Sequence, residues 1–300
     1  MTTREPAGPR VLCVGDLNAD IAITPDGSLV PGTDTPGRIA LTAGGSAANV
    51  AAESARLGVP TRFAGVVGDD ALGRLLVDDL TVRGIDVRCV VRLGAASRSI
   101  AALIDADGDR SMVSDLSTDS VLLAADIDAS WFDDATWLHL TAYTWFPDGG
   151  PATWERIVGL ATERDIPWSV DPSSARMLVD GRGPADAAAA FTGADVVFPS
   201  QDEATALTGS DDPTTAAQQL LDLADTAVVT SGADGVTLAR RGQPMLHCDA
   251  HDATVVNTLG CGDAFAAGYI AGRVSGADDR ECAERGLASA ARVLGLASAR

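Results

Sequence analysis

The hydrophobic positions of this chain form short apolar runs that alternate with longer amphipathic stretches. A short apolar run bounded by turn residues predicts a buried strand, and apolar positions three and four residues apart predict a helix. Strands are predicted at residues 11–14, 62–67, 137–141, 168–170, 196–198 and 227–230. Helices are predicted at residues 46–57, 70–83, 151–164, 203–207, 216–224, 263–274 and 278–294. This alternation predicts an α/β fold in which helices cover both faces of a mostly parallel sheet.

Two segments interrupt the alternation. Residues 21–41 are rich in Thr, Pro, Gly and Asp and contain only strand-like fragments. Residues 98–114 read as two strands, 99–104 and 110–113, on either side of the turn Ala106-Asp107-Gly108-Asp109. These segments are predicted to be strands and loops outside the regular strand–helix pattern.

Composition limits the class of protein. The chain has 300 residues, of which 46% are apolar, and this is enough for a large core in one domain. No apolar run reaches the roughly 18 residues that a membrane span needs, and the polar residues 1–10 lack the apolar segment of a signal peptide. We therefore predict a tail at residues 1–10 and a single domain at residues 11–300.

The net charge and the types of side chain limit which partners and which chemistry the protein can have. The net charge of −20 argues against binding to nucleic acid or to an anionic membrane. Five widely spaced cysteines without a Cys-x-x-Cys pair predict reduced thiols in a cytoplasmic protein. All 22 basic residues are arginine, so the chain has no lysine. This excludes a Walker P-loop and a lysine base, and phosphate chemistry would have to rely on backbone N–H groups, arginine and metal.

The stretch from Asn257 to Asp263 carries the strongest chemical signal. A polar strand end runs into Gly260, Cys261 and Gly262, then into Asp263 and an apolar helix. Backbone N–H groups at a helix N-terminus form an anion-binding concavity, and an adjacent carboxylate can accept a proton. Phosphoryl transfer to a hydroxyl needs this combination. The motif alone also fits an ordinary loop–helix junction with a first-turn carboxylate.

A second Gly-rich turn, Gly44-Gly45-Ser46-Ala47-Ala48-Asn49, opens the predicted helix at residues 46–57. Together the two motifs resemble the two signatures of the PfkB/ribokinase family of carbohydrate kinases, and further similarity runs from Val11 to about Gly295. The resemblance implies a ribokinase-like three-layer sandwich with a small β lid built from segments near 17–42 and 96–115. It also implies a cytoplasmic, magnesium-dependent ATP kinase that forms a homodimer through the lid.

Residue by residue, the resemblance implies the following roles. Asp263 is the general base, and Gly260, Cys261 and Gly262 form the anion hole. The acceptor sugar is bound by Asn18, Asp20, Gly44, Gly45 and Asn49. Two residues apart in an extended segment, Asn18 and Asp20 point to the same side. Ser46 stands where ribokinases have lysine, which argues against a plain ribokinase.

The nucleotide side of the site matches the family in part. Thr230, Gly232 and Gly235 fit its Thr-x-Gly-x-x-Gly segment. Ser200 and Glu203 lie at its Asn-x-x-Glu motif, which orders water around magnesium, with serine in place of asparagine. Asn257 replaces an aspartate that helps to bind a monovalent cation in the potassium-activated members, so we expect weak or absent activation by potassium.

Three functional hypotheses remain at this stage. The first is an ATP-dependent kinase that phosphorylates a hydroxymethyl group of a furanose-like sugar. The second is a nucleoside kinase, because Tyr143, Trp145 and Phe146 cluster after a strand end and offer a wall for a base. The third is a sugar-binding regulator without catalysis, which the presence of Asp263 disfavours. A dinucleotide dehydrogenase is disfavoured because no Gly-x-Gly-x-x-Gly follows the first strand.

Overall fold

The computed structural model describes residues 10–104, 110–115, 119–256 and 258–296. The main sheet contains β1 (Val11–Val14), β4 (Thr61–Gly68), β5 (Asp86–Arg92), β8 (Trp137–Thr141), β9 (Trp168–Asp171), β10 (Ala194–Val197), β11 (Ala224–Thr230), β12 (Val236–Arg240) and β13 (Leu246–Cys248). A small sheet contains β2 (Asn18–Pro25), β3 (Gly37–Gly44), β6 (Ser99–Ile104) and β7 (Arg110–Ser114). The α-helices are α1 (Ser46–Arg56), α2 (Ala71–Val82), α3 (Gly150–Thr162), α4 (Ala175–Asp180), α5 (Pro184–Phe191), α6 (Gln201–Thr208), α7 (Pro213–Gln219), α8 (Cys261–Val274) and α9 (Asp279–Leu294).

The main sheet has the strand order β13-β12-β11-β10-β9-β8-β1-β4-β5. All neighbours from β11 to β5 are parallel. The last two pairs, β11 with β12 and β12 with β13, are antiparallel hairpins. The predicted mostly parallel sheet is therefore confirmed, and its parallel strands bring their carboxyl ends to one edge, where ligands bind in open α/β sheets.

Two hydrophobic cores lie on opposite faces of this sheet, and β1 shows how alternation builds them. Val11 and Cys13 face the core that contains the buried side chains of α1, α2, α8 and α9. Leu12 and Val14 face the other core, which contains those of α3, α5, α6 and α7. Successive side chains of a strand point to opposite faces, so a fully apolar strand supplies both layers. The result is the predicted three-layer arrangement.

Several predicted elements differ from the structure. The helix predicted at residues 216–224 is shorter and begins earlier, because Asp212 caps α7 by accepting from Thr215 N and Pro213 occupies its first turn. Strands β5, β12 and β13 and helices α4 and α5 were not predicted. The turn predicted at residues 106–109 and most of the predicted tail at 1–10 lie outside the described residues.

The small sheet has the order β3-β2-β6-β7 and two unlike faces. Asp20 pairs with Thr42 and Ile100, so these side chains share the face that points toward the main sheet edge. The opposite face carries apolar side chains at alternate positions, and Ile39 and Val113 are 74% and 71% exposed there. The predicted strands 99–104 and 110–113 correspond closely to β6 and β7.

Candidate active site

A cleft of about 1050 Å³ lies between the small sheet and the carboxyl ends of the main-sheet strands. Residues that end or follow parallel strands line one wall, and they include Asp16, Tyr143, Asp171, Ser200 and Thr230. The small sheet lines the other wall with Asn18, Asp20, Ile100, Met112 and Ser114. A concave site of this size at the strand ends is where ligands bind in α/β folds.

The start of α8 forms the floor of the cleft. Gly260 is the residue before the helix and has a φ of 76°, a left-handed conformation that glycine adopts without steric cost. Gly260, Gly262 and Asp263 all line the cleft. Cys261 is the first helical residue and lies half-buried between them, and its N–H donates to Thr258 O at 3.4 Å. The predicted helix N-terminus is thus in place and open to the cleft.

The carboxylate of Asp263 faces α1 across the floor of the cleft. Its Oδ1 accepts a hydrogen bond from Ser46 Oγ at 2.6 Å, and its Oδ2 accepts one from Asn49 Nδ2 at 2.8 Å. Asn49 is 7% exposed, and its Oδ1 has no partner among the described residues. The two sequence motifs, more than 200 residues apart, therefore meet at one carboxylate.

The predicted acceptor residues on β2 lie together on one side of the cleft. Asn18 Nδ2 donates to Asp20 Oδ1 at 2.6 Å, so both side chains point the same way, as the spacing predicted. Gly44 lies against this pair, because a Cβ at that position would come within 2.2 Å of Asp20 Oδ2. Gly45 follows with a φ of 102° and is the residue immediately before α1. Asn18, Asp20, Gly45 and Asn49 line the cleft, whereas Gly44 is not among the described residues that line it.

Asp16 is a site residue that sequence reasoning missed. Its Oδ2 accepts from Ser46 N at 2.7 Å and its Oδ1 from Ala47 N at 3.2 Å, so it caps α1. Thr141 Oγ1 at the end of β8 donates to Asp16 Oδ1 at 2.9 Å. The available signal was its position two residues after the end of β1, because polar residues that follow parallel strands converge on the ligand edge.

Glu203 and Asp171 form an acidic pair on the side of the cleft where the nucleotide is predicted to bind. Each is 9% exposed and both line the cleft. Burial raises the pKa of Asp171, and the nearby carboxylates of Glu203 and Asp263 raise it further. Burial also raises the pKa of Glu203, although Ser200 N donates to its Oε2 at 2.8 Å. Glu203 and Ser200 form a capping box at the start of α6, and Glu203 is one of the buried residues of that helix.

This acidic pair suits a divalent cation. Magnesium prefers carboxylate oxygen and retains several waters, and a cation beside Asp171 and Glu203 would offset their mutual repulsion. Among the described residues no three Asp, Glu, His or Cys side chains are close enough to enclose a metal by themselves. The donors therefore fit a magnesium ion held by one or two carboxylates, water and the phosphates of a nucleotide. Bound there, magnesium would neutralise charge on those phosphates.

The remaining predicted nucleotide residues are only partly in the cleft. Thr230 ends β11 and lines it, together with Ser200. Gly232 and Gly235 form the turn between β11 and β12, and neither is among the described residues that line the cleft. Asn257 lies outside the described residues, so the weak potassium activation expected from it stays a prediction.

The aromatic cluster after β8 divides between cleft and core. Tyr143 and Phe146 line the cleft, and Tyr143 OH donates to Ser173 O at 3.1 Å. Burial raises the pKa of Tyr143, and Asp16, Asp171 and other carboxylates nearby add to the shift. Trp145 is 4% exposed and packs against Phe191, so it is a core residue and cannot form the predicted wall.

Replacing Asp171 with asparagine is expected to raise the melting temperature at pH 8 more than at pH 5. The pKa of Asp171 in the folded state lies above its ordinary value of 3.8. As pH rises from 3.8 through this raised pKa, the buried carboxyl has to ionise, and the folded state loses stability. Asparagine keeps the acceptor for Ser173 N, which now donates to Asp171 Oδ1 at 2.7 Å, and removes the buried charge. The measurement is thermal unfolding of the protein without magnesium or nucleotide. Asp225→Asn, at a carboxylate that is 71% exposed, is the control. A pH-independent loss of stability in Asp171→Asn would contradict the assignment.

No helix in the described part of the chain is long and apolar enough to cross a membrane.

Comparison with known proteins identifies the family of the chain. The family model described as pfkB family carbohydrate kinase matches residues 9–300. A fructokinase from Klebsiella pneumoniae is 31% identical over 271 residues, which cover 88% of this chain and 84% of that protein. An ATP-dependent ribose-1-phosphate kinase from Halopiger xanaduensis is 31% identical over 296 residues, 97% of this chain and 94% of that protein.

The fold is also that of a solved kinase. The crystal structure of adenosine kinase from Sinorhizobium meliloti superposes with a TM-score of 0.88, at 24% identity, over 98% of this chain and 96% of that one. At this identity the likeness establishes the fold, and it confirms the predicted α/β architecture. The match of the family model over nearly the whole chain establishes more. The chain belongs to the pfkB family of carbohydrate kinases and is a phosphotransferase that acts on sugar hydroxyl groups.

Proposed function

We propose that this enzyme transfers the γ-phosphate of ATP to a hydroxymethyl group of a furanose-like carbohydrate. The observation that carries the proposal is the position of Asp263, which lies at the open N-terminus of α8 and faces Asn49 of the acceptor side. A hydroxyl bound near Asn49 would lie within reach of a base and of backbone N–H donors at once. Phosphoryl transfer depends mainly on such positioning.

In the proposed reaction each group has one task. The acceptor hydroxyl gives its proton to Asp263 as its oxygen attacks the γ-phosphorus, and the bond to the leaving ADP oxygen breaks. The N–H groups of Gly260, Cys261 and Gly262 stabilise the charge on the transferred group. Thr230, Gly232, Gly235 and Ser200 are proposed to contact the nucleotide. Glu203 is proposed to hold magnesium through water.

The charge of the cleft favours an acceptor that carries hydroxyl groups and no phosphate. The described residues that line the cleft include only two arginines, Arg98 and Arg176. They include eight carboxylates: Asp16, Asp20, Asp115, Asp119, Asp148, Asp171, Glu203 and Asp263. Asp171 and Glu203 belong to the proposed magnesium site, whereas Asp16 and Asp20 lie on the acceptor side, where they would accept hydrogen bonds from sugar hydroxyls and repel a phosphate. We therefore propose a neutral sugar in place of a sugar phosphate.

A screen of phosphoryl transfer tests the proposal. ADP release and product mass would be measured with ATP and magnesium against D-fructose, D-ribose, ribose 1-phosphate and adenosine. The expected result is turnover of a neutral sugar above the background of the Asp263→Asn variant. Turnover of ribose 1-phosphate alone would overturn the neutral-acceptor proposal. Equal rates in the two proteins for every acceptor would overturn the catalytic role of Asp263.

A nucleoside kinase is the second candidate, and the observation in its favour is the pair Tyr143 and Phe146 on the cleft wall. An aromatic face can stack on a base, which a simple sugar lacks. In the same screen this candidate requires faster turnover of adenosine than of D-ribose. Phe146→Ala would then raise the KM for adenosine and leave that for D-ribose unchanged.

Replacing Asn18 or Asp20 with alanine is expected to raise the KM for the acceptor about tenfold in each case, because each side chain would lose hydrogen bonds to hydroxyls worth about 1–3 kcal/mol. The KM for ATP should stay constant. Since Asn18 holds Asp20 through a 2.6 Å hydrogen bond, the double variant should lose less than the sum of the single losses. A rise in the KM for ATP would place this pair on the nucleotide side.

We also propose that the small sheet is a lid in a single kinase domain at residues 11–300, and that its outer face joins two copies of the chain. Ile39 and Leu41 on β3 pair with Ile23 and Ile21 on β2, and all four lie on the face opposite Asp20. An apolar face is complementary to itself across a two-fold axis. The mass in solution tests this: a dimer is expected for the unmodified enzyme and a monomer for Ile39→Asp. A monomer at micromolar concentration in both would contradict it.

A further inference from the structure

Ser46 forms a short hydrogen bond with Asp263, and none of the roles proposed above involves the Ser46 hydroxyl. Ser46 Oγ donates to Asp263 Oδ1 at 2.6 Å, and Ser46 is the first residue of α1 while Asp263 is the third of α8. A hydrogen bond between a hydroxyl and a carboxylate at this distance is of the charge-assisted class, which is stronger than a neutral hydrogen bond. The contact therefore fixes the orientation of the carboxylate.

Ser46 itself is held in place from the other side. Its backbone N–H donates to Asp16 Oδ2 at 2.7 Å, and Asp16 accepts from Thr141 Oγ1 at 2.9 Å. Thr141 ends β8 and is fully buried. Three successive hydrogen bonds thus connect the carboxyl end of β8, a central strand of the main sheet, to the carboxylate of Asp263. A residue supported in this way can hold a partner within the narrow limits that catalysis requires.

The contact is compatible with binding of an acceptor. A carboxylate oxygen can accept more than one hydrogen bond, so donation from Ser46 and donation from a substrate hydroxyl to Asp263 do not exclude each other. Asn49 is already proposed to contact the acceptor, whereas Ser46 has no role in that scheme.

We propose that Ser46 is a positioning residue that holds Asp263 in the orientation needed to accept the proton of the substrate hydroxyl. The inference rests on the proposed function, because it assumes that Asp263 is the base. Its action passes through the carboxylate and involves neither the sugar nor ATP. Ser46 therefore affects the rate of transfer and leaves the binding of both substrates nearly unchanged.

The test is Ser46→Ala, which removes the hydroxyl but keeps the backbone N–H that donates to Asp16. With ATP, magnesium and the fastest acceptor of the panel above, kcat is expected to fall about tenfold, and both KM values are expected to change less than about twofold. The acidic limb of the pH profile of kcat/KM should move to higher pH by roughly half a unit to one unit, since a donor to the charged carboxylate is lost. Ser46→Thr retains a hydroxyl and should restore most of the rate.

A matched control lies in the same helix. Ser54 of α1 is fully buried, and its hydroxyl has no hydrogen-bond partner among the described residues. Ser54→Ala should leave kcat and the pH profile unchanged, so a general effect of serine loss in α1 would be visible. If Ser46→Ala raises the KM for the acceptor and leaves kcat intact, Ser46 contacts the sugar and the proposal is wrong.

A readout without any acceptor separates this inference from the proposed function. The carboxyl carbon of Asp263 can be assigned by 13C NMR through the loss of its signal in Asp263→Asn. Its titration midpoint is expected at higher pH in Ser46→Ala than in the unmodified enzyme. Identical midpoints would overturn the positioning role even if Asp263 proves to be the base. Full activity of Asp263→Asn would overturn the proposed function whatever the titration shows.

Discussion

Replacing Asp263 with asparagine is expected to lower kcat at least about a hundredfold, the low end for removal of a general base. Asparagine has nearly the same shape and can still accept from Ser46 Oγ, which now lies 2.6 Å from Asp263 Oδ1. It cannot accept a proton from the acceptor at neutral pH. Because the helix N-terminus and the residues around Asn18 stay intact, both KM values should change little. Steady-state kinetics with ATP, magnesium and the best acceptor provide the measurement.

A first-turn carboxylate elsewhere supplies the control for this variant. Asp186 lies exposed in the first turn of α5, where its charge interacts with the helix dipole and nothing in the cleft. Asp186→Asn should retain full activity and lose at most about 1 kcal/mol of stability. If Asp263→Asn keeps most of its activity, Asp263 is a helix-terminal carboxylate like Asp186, and the catalytic proposal fails.

The sequence predicted much of the architecture because the central strands of the main sheet are mostly apolar and buried. Strand β8 was predicted with its observed bounds, Trp137–Thr141, and β1 likewise. Strand β5 was missed because it lies at a sheet edge, where its residues are only partly buried, and it lacks the continuous apolar run by which the buried strands were predicted. Helix α5 was missed because its alanines lack the polar face that marks an amphipathic helix.

The candidate site was predictable where side chains are close in sequence. The shared direction of Asn18 and Asp20 followed from the period of an extended segment. The contact of Ser46 with Asp263 joins residues 217 positions apart, and no local pattern encodes such a distance. The burial of Glu203 was also missed, since a glutamate in a first helical turn is usually exposed. Tertiary packing decides both features.

Replacing Gly45 with alanine is expected to lower the free energy of unfolding by at least about 3 kcal/mol, because two penalties act together. The φ of 102° lies in a region that side chains other than glycine adopt only with strain. A Cβ there would also come within 2.5 Å of the backbone oxygen of Asp16, which cannot move without disturbing the cap of α1. Urea unfolding monitored by circular dichroism is the measurement, and activity should fall with it because Ser46 and Asn49 follow directly.

Gly58, two residues beyond the other end of α1, is the control, because it has a positive φ but no close contact at the Cβ position. The difference between the two variants therefore measures the cost of the clash. The φ of Gly58 is 82°, and a Cβ at this position would meet nothing within 4 Å. Gly58→Ala should therefore cost only about 1–2 kcal/mol, the price of the left-handed backbone, and leave kcat unchanged. Both substitutions lower the conformational entropy of the unfolded chain by the same amount. This stabilising contribution therefore cancels when the two losses of unfolding free energy are compared. Equal losses in the two proteins would show that the approach of Gly45 to Asp16 is not a constraint. The site would then tolerate a side chain at the junction where the acceptor residues and the base meet.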